Sequence, residues 1–264
     1  MTGSDANGDM HDMSTTAILL AGGKGTRMNS DLPKVLHEVC GRSMLAWVID
    51  ACRQAGAERL LLVVGHRGDL VRQAFAGAGD VEFVEQSPQL GTGHAVMVCQ
   101  DRLQGLQGPV LVLAGDGPLI RRQTLLELLD THRREQAACT LATSILDDPA
   151  RYGRILRDGD GRLAGIVEYL DASQPQRAIR EVNVSVYCFD AEALRWVLPR
   201  LTNHNAKGEF YLTDALALLR QDARKLAAVP AVPPQDVLSI NTFDELQQVG
   251  AILSDRLRAG EAHS

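Results

Sequence analysis

The residues best equipped for chemistry lie in one stretch, Ala17-Ile18-Leu19-Leu20-Ala21-Gly22-Gly23-Lys24-Gly25-Thr26-Arg27-Met28, with Pro33-Lys34 a few residues on. A short apolar run reads as a buried strand, and it empties abruptly into glycines, a threonine and two cations. Glycines let backbone N–H groups approach a ligand, and clustered N–H groups form an anion-binding concavity. Arg27 and Lys34 add full positive charge beside it. A loop leaving a strand in this way lies at the carboxyl edge of a sheet, where open α/β folds bind ligands. The reading is a nucleotide-phosphate cradle, against the alternative of a plain glycine-rich turn. The stretch is not a P-loop, because Lys24 precedes Gly25 rather than Ser or Thr, and it lacks the dinucleotide G-x-G-x-x-G spacing.

Other chemistry-bearing residues lie further along the chain. Gln86-Ser87-Pro88-Gln89-Leu90-Gly91-Thr92-Gly93-His94-Ala95 supplies amide, hydroxyl and backbone partners suited to a nucleobase edge. The competing reading is a polar turn with Thr92 as a helix N-cap. His94 at a helix start reads as a packed or capping residue before a catalytic base. Asp116 comes just after the apolar run Val110–Ala114, and a carboxylate at a buried strand's end suits Mg²⁺, a hard cation taking oxygen ligands. Its alternative is an Asp-Gly-Pro turn. Asn241, taken alone, reads as the N-cap of the last helix.

The elements that must position these groups come from hydrophobic spacing. Leu45, Val48, Ile49 and Cys52 mark a helix face, Leu60 to Val64 a strand, Gly68 to Phe75 a helix and Val81 to Val84 a short strand. This βαβαβ order implies parallel strands with right-handed crossovers. A helix runs from the Gly91-Thr92 loop to about Leu103, and another carries Leu125, Leu128, Leu129 and His132. Ala138 to Ile145 is the next strand. The pattern then changes: Tyr152 to Ile155 and Leu163 to Glu168 flank Asp158-Gly159-Asp160-Gly161, a hairpin signal. Arg162 and Tyr169 stand where a calcium loop would need ligands, so calcium is rejected. Glu181 to Phe189 is β-rich, and helices carry Leu194, Val197, Leu198 and Leu201, then Leu212, Ala215, Leu216 and Leu219. A terminal helix carries Leu246, Val249, Leu253 and Leu257.

Composition sets outer bounds. The chain has 264 residues, 45% hydrophobic and 23% charged, with a net charge of −6. That is ordinary for a globular protein and argues against a nucleic-acid surface. The five cysteines are scattered without a C-x-x-C, which fits a reducing cytoplasm better than a disulfide framework or zinc site. No apolar run is long enough to span a bilayer, so no membrane association and a cytoplasmic location are expected. Residues 1–14 read as a disordered leader, 15–258 as the folded domain and 259–264 as a polar tail.

The run LAGGKGTRMNSDLPKVLHEVCGRSML, with the Gln86 loop, Gly115-Asp116 and the Asn-Ala-x-Gly-Glu-x-Tyr-x-Thr-Asp stretch of residues 205–214, resembles the sugar-nucleotide pyrophosphorylases. Within them it is most similar to the uridyltransferase domains of bifunctional N-acetylglucosamine-1-phosphate uridyltransferases, over about Thr16 to Leu257. The resemblance implies an α/β, Rossmann-like nucleotidyltransferase (GT-A-like) fold, a mostly parallel sheet flanked by helices with a smaller antiparallel sugar-binding portion. It assigns Arg27 and Lys34 to catalysis: Arg27 to the departing pyrophosphate, Lys34 to charge around the α-phosphoryl group. Leu20, Ala21, Gly22, Gly23, Gln86, Gly91 and Thr92 fall to the nucleotide, with uracil as the base read. Gly153, Glu168 and Asn183 fall to the N-acetylhexosamine, and Asp116 and Asn241 to Mg²⁺. Thr213 and Asp214 are expected to cap and pack.

Two departures stand out. Ala114 occupies a position where some relatives carry Tyr, and Val184-Ser185 one where relatives commonly carry Thr-Gly. The implied partners are UTP and a sugar 1-phosphate, giving a UDP-sugar and pyrophosphate. Two alternatives stay open, another sugar or base in the same chemistry and a nucleotide-sugar-binding module without turnover. The six-residue repeat of an acetyltransferase β-helix is missing, so acetyl transfer is not expected.

Overall fold

The computed structural model describes residues 14–23, 25, 28, 30–238, 240 and 242–260. Most of the leader, Lys24, Thr26, Arg27, Asn241 and the tail from 261 lie outside these described residues.

The first strand, β1 (Thr15–Leu20), is buried along nearly its whole length, as a strand covered on both faces must be. Its loop leads through the 3-10 turn Lys34–Leu36 into a small hairpin, β2 (Glu38–Val39) and β3 (Arg42–Ser43). Ser43 then caps α1 (Met44–Gln54), its hydroxyl accepting from Ala46 N at 3.3 Å. The alternation continues with β4 (Ala57–Val64), α2 (Gly68–Phe75), β5 (Val81–Glu85), α3 (Thr92–Met97), β6 (Pro109–Ala114), α4 (Arg122–Glu135) and β7 (Cys139–Ile145). Next come the hairpin β8 (Arg154–Arg157) and β9 (Leu163–Val167), the short α5 (Gln174–Arg177) and the long β10 (Glu181–Asp190). The chain ends with α6 (Ala191–Val197), α7 (Asp214–Gln221), β11 (Leu226–Val229) and α8 (Phe243–Arg258).

Among the described residues nine strands form one sheet, with order β11-β7-β10-β6-β1-β4-β5 and the β8–β9 hairpin attached through β10. Strands β6, β1, β4 and β5 are parallel, as the βαβαβ order requires, and β11 is parallel to β7. The antiparallel portion is not separate from this sheet. β10 runs between β6 and β7, antiparallel to both, and Val182 pairs Arg154 to bring in the hairpin. The helix expected from Thr92 to Leu103 is α-helical only to Met97 and continues as the 3-10 turn Gln100–Leu103.

Side chains of β1 divide between two cores. Ala17 and Leu19 pack with Leu45, Val48, Leu125 and Leu128 from α1 and α4; Ile18 packs with Val96, Leu194 and Leu216 from α3, α6 and α7. A third cluster seats α8, through Val249 and Leu253, against Met44, Trp47 and Leu119. All five cysteines are free thiols, four of them buried. Among the described residues no helix is long and apolar enough to cross a membrane.

Chain order fixes where the ligand crevice opens. From β1 the chain moves outward through β4 and β5, then returns to place β6 on the other side of β1. This reversal is a topological switch point, and the carboxyl ends of β1 and β6 meet there, with Leu20 opposite Ala114.

Candidate functional site

At the switch point Lys34 Nζ donates to Asp116 Oδ2 at 2.5 Å. The two residues are 82 positions apart, and both side chains are partly exposed. Buried Val35 anchors the turn that carries Lys34, and Gly115 N bonds Leu20 O at 3.0 Å, pinning the Asp116 loop to the end of β1. Gly25, with φ of +59°, lies flat against Lys34: a Cβ there would fall 2.8 Å from Lys34 Cβ.

The rest of the cradle touches the Gln86 loop. Ala21 N bonds Val63 O at 2.8 Å, and Gly22 O accepts from His66 N and from the Gln89 amide. A Cβ on Gly22 would sit 3.3 Å from Gly65 N and 3.4 Å from Gln86 Oε1, so the cradle backbone passes close to both. Gln86 is itself buried; its amide donates to Gly91 O at 2.9 Å and lies 3.3 Å from His94 Nδ1. His94 also leans on the Phe210 ring, which makes it a packed residue.

Thr92 does not cap its helix. Gly91 holds the N-cap position without a side-chain bond, while the Thr92 hydroxyl accepts from Leu212 N at 3.1 Å. Gly93 N bonds Phe210 O at 2.7 Å and Phe210 N bonds Leu90 O at 2.8 Å. The 205–214 stretch therefore braces the Gln86 loop. Gly91 has φ of +107°, and a Cβ there would meet Phe210 O at 2.6 Å. Gly91→Ala should consequently lose about 2–4 kcal/mol of stability, from backbone strain plus steric overlap. Denaturant melts check this; an unchanged midpoint would show that the loop yields freely.

Gly153, Glu168 and Asn183 also converge. Asn183 N bonds Gly153 O at 2.9 Å, and a Cβ on Gly153 would lie 3.4 Å from Glu168 Oε1. The Asn183 amide donates to the Tyr187 hydroxyl at 2.7 Å, and its oxygen accepts from Ser185 N at 3.0 Å. A carboxamide carries two donors and two lone pairs, so one of each remains. Thr213, expected to cap and pack, is buried at the N-cap position of α7, but its hydroxyl makes no cap bond and donates to Glu168 Oε1 at 3.2 Å. Nor is Asn241 the cap of α8: Thr242 is, in a capping box with Glu245.

Burial pushes the Glu168 carboxyl above the ordinary glutamate pKa, with the Thr213 hydrogen bond and nearby Lys207 opposing. A raised acid pKa means that the folded form keeps its proton longer, so stability falls as pH rises between the unfolded and folded values. Glu168→Gln should therefore melt higher than the parent at about pH 7.5, and the gap should close near pH 4, where both states are protonated. Melting curves at the two pH values decide it.

Glu168 opens into a cavity of about 890 Å³, lined also by Tyr152, Tyr211 and Val237. A smaller cavity of about 260 Å³ holds Lys34, Ala114, Asp116 and Ser185. Tyr152, Val237 and Leu238 line both, and the Tyr152 hydroxyl donates to Val237 O at 2.5 Å across the division. Sequence reasoning missed Tyr152, and it missed Arg154, which is 2% exposed and gives its donors to the carbonyls of Ala150, Tyr152 and Arg177. Burial lowers the Arg154 pKa.

The fold agrees with that of a solved protein this chain resembles. Residues 17–181 match the model of the MobA-like NTP transferase domain. The chain is 45% identical over 241 residues to the bifunctional protein GlmU of Geobacter metallireducens, covering 91% of this chain and 51% of the relative. It is 42% identical over 245 residues to GlmU of Alkaliphilus metalliredigens, covering 93% and 53%. The chain thus spans about half the length of the curated relatives it matches. A solved UDP-glucose pyrophosphorylase complexed with UDP-glucose shares the fold, with a TM-score of 0.74 at 16% identity, covering 92% of this chain and all of that one. With the switch point and the Lys34–Asp116 pair in one crevice, the chain belongs to the MobA-like NTP transferase family.

Proposed function

We propose that the domain transfers the uridylyl group of UTP to N-acetylglucosamine 1-phosphate, releasing pyrophosphate and UDP-N-acetylglucosamine, with Mg²⁺ as cofactor and the cytoplasm as its compartment. A phosphate oxygen of the sugar 1-phosphate attacks the α-phosphorus, and the α–β bridging bond breaks as pyrophosphate leaves. That oxygen is already ionised at neutral pH, so no general base is needed, and the work is positioning and charge neutralisation. The observation that carries the reading is the Lys34–Asp116 pair between the Gln86 loop and the Glu168 cavity.

The donors suit magnesium. Among the described residues no group of three or more His, Cys, Asp or Glu could form an all-protein metal cage. Mg²⁺ takes one or two protein oxygens and completes its shell with water and phosphate. Asp116 offers one carboxylate, and Asn241, by resemblance, a carbonyl. When bound, the ion would neutralise phosphate charge. Lys34 would place its ammonium at the α-phosphoryl group, Arg27 would face the leaving pyrophosphate, and Gln86 with Thr92 would frame the base. Glu168, Gly153 and Asn183 would receive the sugar.

Pyrophosphate release across the common nucleoside triphosphates and several sugar 1-phosphates, with Mg²⁺, tests the reading. Release with UTP and N-acetylglucosamine 1-phosphate supports it. Release with another sugar keeps the chemistry and moves the specificity, the second reading that Ala114 and Val184 beside Asp116 favour. Binding of UTP or UDP-sugar without release would make the domain a sensor.

A further inference from the structure

Ser185 has φ of +58°, in the left-handed region that glycine enters without penalty and other residues seldom occupy. Such a conformation persists only where its surroundings impose it, and it gathers at ligand sites. The surroundings here are specific. The pairing of β10 with β7 breaks register between Asn183 and Tyr187, while on its other edge β10 joins β6 from Val186 opposite Leu113. The chain between is pushed out of the ladder. Its serine is exposed and lines the small cavity that also holds Lys34 and Asp116.

Ser185 is tied to the other cavity as well. Its N–H donates to Asn183 Oδ1, whose amide end holds the Tyr187 hydroxyl. The Ser185 side chain sits beside that same phenol, and the charge of Glu168 acts on it from the sugar side. Ser185 therefore stands between the group of residues around Glu168 and the Lys34–Asp116 ion pair at the switch point. Ala114, at the end of neighbouring β6, lines the same cavity with no side chain larger than a methyl group. A molecule whose sugar ring lies at Glu168 and whose phosphate lies at Lys34 would extend into the cavity that Ser185 lines.

We infer that Ser185 is a substrate-positioning residue whose hydroxyl donates to the phosphate of the sugar 1-phosphate, an inference that rests on the reading of the site proposed above. The strained backbone then has a use, since it aims the side chain into the cavity instead of along the strand.

The test pairs Ser185→Gly with Ser185→Ala. Both remove the hydroxyl; only glycine relieves the backbone. Both should raise KM for N-acetylglucosamine 1-phosphate about tenfold or more, the scale of a lost hydrogen bond to a charged group, while KM for UTP stays within about twofold. Calorimetric titration with UDP-N-acetylglucosamine should show the same weakening without turnover. The glycine variant should melt higher than the parent and the alanine variant should not, which separates hydroxyl from strain. Unchanged KM and Kd in both variants would overturn the inference, as would a loss confined to alanine. Failure of the parent protein itself to bind UDP-N-acetylglucosamine or release pyrophosphate would instead overturn the proposed function.

Discussion

Lys34→Ala is expected to lower pyrophosphate release by about a hundredfold or more, the cost of removing one donor aimed at charge that develops in the transition state. The fold should barely notice. Lys34 and Asp116 are 13% and 26% exposed in their side chains, and a pair so placed contributes about 1 kcal/mol or less. Alanine keeps the Cβ that packs against Gly25, and buried Val35 still anchors the turn. The melting temperature should therefore move by only about 2–4 °C. Lys34→Arg should recover little, because a planar fork cannot replace a compact ammonium held 2.5 Å from one carboxylate oxygen. Steady-state rates at saturating substrates measure the effect, and a rate within a few-fold of the parent removes Lys34 from the chemistry.

The Lys34 and Asp116 placements were legible because a parallel strand buried on both faces is a continuous apolar run, and the loop leaving its far end must sit at the sheet's carboxyl edge. The runs Leu60 to Val64 and Val110 to Ala114 end where β4 and β6 end, although β4 begins three residues earlier, at Ala57. The antiparallel insertion was not legible, because the alternation in Glu181–Asp190 says nothing about which strands it enters between. The four residues of β11 were passed over because Leu-Ala-Ala-Val is short and weakly apolar. At the site, the types were readable and the partners were not. Thr92 and Asn241 stood where caps are common, yet the cap of α8 is the next residue, Thr242, and Thr92 is spent on Leu212, 120 positions away. Thr213 on Glu168 and Tyr152 on Val237 are likewise long-range bonds that no local pattern encodes.

The largest stability effect should come from another such long-range contact. The Asp236 carboxylate, 2% exposed, accepts from Arg121 Nε at 2.6 Å and from Arg256 Nη2. Arg256 is buried and its Nη1 donates to Leu119 O at 3.1 Å, three residues past Asp116. One acid thus joins the start of α4, the terminal helix and the loop that carries Asp116. Asp236→Ala leaves the buried Arg256 guanidinium facing a vacated site, and breaking a buried pair by removing one partner costs about 3–5 kcal/mol. At about 2–4 °C per kcal/mol for a chain of this size, the melting temperature should fall by roughly 6–20 °C. The penalty lies in the uncompensated charge and not in the lost volume, so Asp236→Leu combined with Arg256→Met should restore much of the loss. Arg121, whose side chain is 23% exposed, can then turn to water. Equal losses in the single and double variants would show that packing, not charge pairing, holds this corner. If charge pairing holds it, the double variant should fold well yet release pyrophosphate more slowly, because the Arg256 bond to Leu119 that steadies the Asp116 loop is gone.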